Sequence, residues 1–143
     1  LNKVELKKKL GENKVHTIRR SWDVKPEALS KDSPYHPINI ETYKTIPLEI
    51  IPDTESLKDT YERVLKYFEN EIQKKLINNN ILISAHGNSI RALCKYLFKL
   101  DNNQISNLEI PTGNPLIIEL NEKLNIKNCE YLDKERAKSL LVF

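Results

Sequence analysis

Hydrophobic positions along the chain change their spacing several times, and each change predicts an element. Residues 2–22 carry Leu6, Leu10, Val15 and Ile18 at helical intervals, in two pieces divided near Gly11. Residues 23–54 lose that periodicity and hold Pro26, Pro34, Pro37, Pro47 and Pro52. They read as a long irregular connection, the kind that often serves as a lid or binding loop. From Leu57 to Ile77 an apolar stripe runs through Tyr61, Val64, Leu65, Phe68, Ile72 and Leu76. It predicts a helix with one buried face, capped by Thr54 or Ser56 and ended by Asn78-Asn79-Asn80.

The next run is continuous rather than periodic. Ile81-Leu82-Ile83-Ser84-Ala85 is short, apolar and rich in β-branched residues, which predicts a strand buried on both faces, as in a parallel sheet. His86-Gly87-Asn88 reads as a tight turn, and Ser89 to Leu100 resumes helical spacing through Ile90, Leu93, Cys94 and Leu97. Asp101 can cap a further short helix to about Leu108. After a Pro111-Thr112-Gly113 loop, Pro115–Leu120 and Leu124–Tyr131 read as two strands joined at Asn121-Glu122-Lys123. A last helix is expected from Asp133, although Leu140-Leu141-Val142-Phe143 is an unusual apolar end. Helix, buried strand, helix and further strands make an α/β layered domain. About three strands leave its sheet with an uncovered edge, which predicts a missing partner segment on the N-terminal side. The start at Leu1 rather than Met points the same way.

Composition narrows the class. With 39% hydrophobic and 30% charged residues, the chain reads as one ordinary soluble domain without a membrane span or signal peptide. The two cysteines, Cys94 and Cys129, have no metal-ligand spacing; Cys94 reads as a core residue, and a reducing cytoplasm is expected. The net charge of +3 is scattered apart from Lys7-Lys8-Lys9 and Lys74-Lys75, which read as solvated helix faces rather than nucleic-acid contacts.

Three places could carry chemistry. His86 follows the apolar run, at the sheet edge where ligands of open α/β sheets bind. Gly87 would let the chain turn and leave room beside it, and the helix beginning near Asn88 would aim N–H groups at an anion such as phosphate. The plainer alternative is a histidine that only caps the turn. Arg19-Arg20 end a helix; they can grip phosphate or carboxylate in forked pairs, or merely complement the helix dipole. Lys3 could add a point charge for the same ligand. Pro111-Thr112-Gly113-Asn114-Pro115 reads as a rigid loop that shapes a pocket wall. His16 reads as a surface residue and His36 as a loop residue without an assigned role.

Taken together, Ala85-His86-Gly87-Asn88-Ser89-Ile90-Arg91-Ala92-Leu93 and Ile110-Pro111-Thr112-Gly113-Asn114-Pro115-Leu116 strongly resemble the cofactor-dependent phosphoglycerate mutases of the histidine phosphatase superfamily. Lys3, Arg19-Arg20 and Pro52-Asp53-Thr54-Glu55-Ser56-Leu57 fall in the expected order, so the resemblance covers nearly all of residues 1–143. It implies a three-layer αβα fold with a mostly parallel sheet, here incomplete, in a single domain. It also implies interconversion of 2- and 3-phosphoglycerate in glycolysis and gluconeogenesis through a phosphohistidine, primed by 2,3-bisphosphoglycerate and without a metal. Lys3, Arg19 and Arg20 would bind the substrate carboxylate and phosphates, Gly87 and Asn88 would bind phosphate, and His86 would stabilise the transferring phosphoryl group. Family members are often dimers or tetramers.

The chain departs from the family pattern in three ways. The Arg-His-Gly segment that carries the phosphohistidine is absent, as is the region of the proton-donating glutamate. Ile18 stands where an aromatic residue is usual. The isolated chain is therefore expected to be inactive. Competing expectations are a bisphosphoglycerate phosphatase relative, or a truncated pseudoenzyme that binds phosphate esters or a partner chain.

Overall fold

The computed structural model of the chain describes residues 3–137, with every side chain among them except that of Lys3. The expected helix beyond Asp133 lies mostly outside that range; within it, residues 134–137 form a turn closed by Ala137 N–H on the Lys134 carbonyl at 3.3 Å. The chain divides into two compact units, residues 1–57 and residues 58–143.

In the first unit, α1 (Lys3–Leu10) and α2 (Glu12–Arg20) are separated at Gly11, as the spacing predicts. Gly11 has φ +82°, a left-handed conformation that suits glycine, and its N–H closes α1 on the Lys7 carbonyl at 2.9 Å. Val15 is buried, His16 is exposed, and Arg19 and Arg20 form the last turn of α2.

The proline-rich stretch contains only three single 3-10 turns, at Pro37–Asn39, Glu41–Tyr43 and Leu48–Ile50. Its two ends are tied together. The Leu29 N–H donates to the Asp53 carbonyl at 3.3 Å, and the Thr54 hydroxyl donates to the Pro26 carbonyl at 2.7 Å. Thr54, a candidate helix cap in the sequence, thus gives its proton to loop closure. His36 sits inside this loop at 0% exposure. Its Nδ1 accepts from Ile38 N–H at 3.3 Å, so in the neutral ring Nε2 carries the proton and donates to Asp53 Oδ1 at 3.2 Å. The loop residue without a role in the sequence is a structural pin.

In the second unit the helical path predicted for 57–77 is present but changes its winding. α3 (Leu57–Tyr67) opens at the junction of the units, widens into a π-turn at Phe68–Ile72 and tightens into a 3-10 segment at Gln73–Asn78. The widening falls at Phe68, which is buried and meets the Tyr96 ring edge-on at 5.8 Å. Tyr96 belongs to α4 (Gly87–Leu97), whose inner face buries Arg91, Ala92 and Cys94. Burial, and secondarily Cys129, pushes the Cys94 thiol up to about 12, as befits a core cysteine. α5 (Asn102–Asn107) starts with a complete capping box between Asp101 and Gln104, and completes this core with Ile105 and Leu108, both at 0% exposure.

β1 (Leu116–Leu120) and β2 (Ile126–Tyr131) pair antiparallel, from Leu116 opposite Tyr131 to Leu120 opposite Ile126, with an irregularity at Glu119/Leu120. Asn121 builds the turn: its Oδ1 accepts from Lys123 N–H at 2.9 Å and Asn125 N–H at 3.0 Å.

The expected buried strand at 81–85 is not formed. Residues 79–86 have no regular secondary structure, and Leu82 is 91% exposed. A strand exists only through hydrogen bonds to a neighbour, and no neighbour for this run stands among the described residues. The described residues are thus a mixture of helices and one two-stranded antiparallel sheet, which agrees with an α/β class. No helix among them is long and apolar enough to cross a membrane.

Candidate functional site

The irregular run from Asn79 delivers His86 to the start of α4, where the backbone is extended (φ −62°, ψ 145°) before the helix begins. His86 fills the N-cap position. Its carbonyl accepts from Ser89 N–H at 2.9 Å and Ile90 N–H at 3.1 Å, and its Nδ1 accepts from Asn88 N–H at a long 3.4 Å. The capping role weighed as the plainer alternative is therefore real. It also has a chemical consequence. With Nδ1 turned toward an N–H, the proton of the neutral ring sits on Nε2, which is a donor on an exposed side chain. The capping nitrogen and the exposed N–H are thus two different atoms of the same ring.

The cap contacts occupy the N–H groups of Asn88, Ser89 and Ile90. The Gly87 N–H meets no partner among the described residues, and it belongs to the first turn of an 11-residue helix, at the positive end of its dipole. Gly87 does not have a left-handed backbone; the chain passes at it from the extended His86 into α4. A Cβ added there would meet nothing within 4 Å. The glycine therefore leaves clearance beside its own N–H rather than relieving strain.

Asn88 is exposed and accepts at Oδ1 from Arg91 Nη1 at 3.2 Å. Arg91 is buried at 6% exposure and gives Nη2 to the Ile105 carbonyl at 2.6 Å. The i, i+3 spacing of Asn88 and Arg91 on one helix face is the sequence signal for this contact; the Ile105 contact has no such signal.

The Pro111–Pro115 loop is held by groups from farther along the chain. Gly113 has φ +69°. The Asn114 side chain, nearly buried, donates to the Asp133 carbonyl and accepts from the Asp133 N–H, both at 2.9 Å. Arg136 forks onto the carbonyls of Thr112 at 2.7 Å and Gly113 at 3.3 Å.

His86, Gly87 and Asn88 are thus brought together in one turn of the second unit, and Arg19 and Arg20 stand side by side in the first. The Lys3 side chain lies outside the described residues. Ser21, directly after the arginines, has a buried hydroxyl that meets no hydrogen-bond partner among the described residues. Among those residues, no group of three or more His, Cys, Asp and Glu side chains could hold a metal ion.

A family model described as the histidine phosphatase superfamily (branch 1) matches residues 12–127. A 2,3-bisphosphoglycerate-dependent phosphoglycerate mutase of Pelagibacter ubique is 69% identical over 144 residues, which cover 100% of this chain and 60% of that protein. Proteins of the same name from Maricaulis maris and Hyphomonas neptunium are 42% and 48% identical, each over 98% of this chain and 58% of its own length. The chain therefore spans about 60% of the length of the curated relatives it matches.

Proposed function

We infer the function from one premise: the chain belongs to the histidine phosphatase superfamily, branch 1. Within it, the complete protein is a 2,3-bisphosphoglycerate-dependent phosphoglycerate mutase that interconverts 2- and 3-phosphoglycerate in glycolysis and gluconeogenesis. The observation that carries this reading is the first turn of α4. The outward Nε2–H of His86, the open Gly87 N–H and the exposed Asn88 amide come from three consecutive residues. The names of relatives up to 69% identical agree with it.

These donors suit a phosphate ester, because all of them offer hydrogen to oxygen at the positive end of a helix. Bound 2,3-bisphosphoglycerate would supply the phosphoryl group that primes the enzyme. His86 Nε2–H donates to the oxygens on which charge changes during transfer, a contribution of about 3 kcal/mol by analogy with oxyanion donors. The Gly87 N–H and the Asn88 amide hold the phosphate in place. Lys3, Arg19 and Arg20 take the substrate carboxylate and phosphates, where the arginine forks match planar and tetrahedral anions. No step requires a metal when cations and donors carry this charge.

The finer architecture belongs to the same proposal. In the complete protein Ile81–Ala85 becomes a strand of a mostly parallel, three-layer domain. The phosphorylated histidine comes from a segment outside this chain, whose sequence has no Arg-His-Gly. The 143-residue chain alone is then inactive, and the complete enzyme is cytoplasmic and assembles as a homo-oligomer.

The test is an assay of the complete protein for 3- to 2-phosphoglycerate conversion, with and without added 2,3-bisphosphoglycerate. Turnover stimulated by the bisphosphate is expected. Hydrolysis of the bisphosphate without isomerisation would replace the mutase by a phosphatase. Binding without either reaction would replace it by a pseudoenzyme.

A further inference from the structure

Arg91 is a buried cation, and a buried charge needs hydrogen-bond partners, which its two terminal nitrogens find although its Nε finds none among the described residues. The two terminal nitrogens are divided between separate helices. One goes to the carbonyl of Ile105, a fully buried residue of α5, at 2.6 Å; the other goes to the side chain of Asn88 at 3.2 Å. A guanidinium can only donate. The Asn88 atom that faces it must therefore be the carbonyl oxygen, and the amide nitrogen with its two N–H donors is turned the other way. An asparagine without this anchor could present either end, and its oxygen end would repel an anion.

We propose that Arg91 is a positioning residue for anion binding: it locks the Asn88 amide so that only N–H donors face a bound phosphate. The Ile105 carbonyl fixes the arginine from a second helix, so the orientation of an exposed side chain is set by the buried core. Turned this way, Asn88 joins Gly87 N–H and His86 Nε2–H as a set of donors without an acceptor among them. The identity of the phosphate ester rests on the mutase reading. The orientation argument applies to phosphate oxygens of any source.

The test uses the complete protein, with inorganic phosphate as the probe in a calorimetric titration and thermal melting as the check on folding. Arg91→Lys keeps the charge but gathers its donors on a single nitrogen, which cannot span the two acceptors that Nη1 and Nη2 reach; it should weaken phosphate binding by about fivefold to tenfold, the size of one hydrogen bond. The same change made on an Asn88→Ala background should add nothing, because Arg91 acts through Asn88. Asn88→Asp keeps the acceptor for Arg91 but turns a carboxylate oxygen outward. Its melting point should hold or rise, while phosphate binding falls on the order of a hundredfold. An equal loss from Arg91→Lys on both backgrounds, no loss at all, or wild-type binding by Asn88→Asp would each overturn the proposal. If Arg91→Lys melts early, Asn88→Asp decides alone, since it leaves the arginine in place. Mutase turnover of the wild type is read separately. Failed turnover with the Arg91–Asn88 coupling intact refutes the enzyme reading, and normal turnover without the coupling refutes the role of Arg91.

Discussion

His36 and His86 make the same local contact in two different surroundings. Each caps a helical turn, and each accepts at Nδ1 from the N–H two residues on, at 3.3 Å and 3.4 Å. Each therefore carries its proton on Nε2. At His36 that proton points into the protein and meets Asp53 at 3.2 Å, with the ring fully buried. At His86 it points away from the cap on an exposed side chain, with no partner among the described residues. A cap thus decides which nitrogen donates, and burial decides whether the donor holds the fold or faces solvent. Sequence spacing alone does not distinguish the two.

Substitutions at the two positions should separate accordingly. The largest effect is expected from His86→Asn in the complete protein. An asparagine oxygen can replace Nδ1 as the cap, but its amide nitrogen stops short of the place of Nε2, so kcat should fall on the order of a hundredfold with little change in the unfolding midpoint. His86→Gln, whose amide nitrogen reaches to about the place of Nε2, should recover part of that rate. Wild-type turnover in His86→Asn would reduce His86 to a cap. Next comes His36→Ala, which should cost about 2–3 kcal/mol in urea unfolding, from the emptied space and the lost hydrogen bonds to Asp53 and Ile38. Turnover of the folded protein should be unchanged; a rate loss as deep as that of His86→Asn would erase the contrast. The smallest effect is expected from Asp53→Asn. Its oxygen can still accept from His36, and only the charge is lost from a half-exposed group, so the cost should be about 1 kcal/mol by the same measurement.

Elements whose partners lie nearby were legible in the sequence. The β1–β2 hairpin carries its own pairing partner across one turn, and Asn121 marks that turn. Asp101 announces α5 as its cap, and the structure adds Gln104 to complete the box. Ile81–Ala85 has the composition of an interior strand, but composition does not supply the neighbour that a strand requires. The same limit applies within the site. The His86-Gly87-Asn88 turn is a local motif and was readable, whereas the contacts of Arg91 with Ile105 and of Arg136 with Thr112 join residues far apart along the chain. The burial of His36 depends on how a proline-rich loop closes, and no periodicity encodes that.

Both ends of the β hairpin are fastened, the open one as well as the turn. Near its turn lie the irregular register at Glu119/Leu120 and Leu124, held at φ +59° without being glycine. At its open end the pairing runs past the strands: Leu132 N–H reaches the Pro115 carbonyl at 2.9 Å, the Asn114 amide closes a ring with the Asp133 backbone, and Arg136 clips the carbonyls beyond it. A hairpin ordinarily frays from its open end. Here the open end is tied as well as the turn, where Asn121 N–H meets the Asn125 carbonyl at 2.9 Å and Leu124 N–H meets the Asn121 carbonyl at 2.8 Å, so the amides of Tyr131 and Leu132 should exchange with solvent no sooner than that of Asn125. The Pro-Thr-Gly loop then serves as a hem rather than a loose edge.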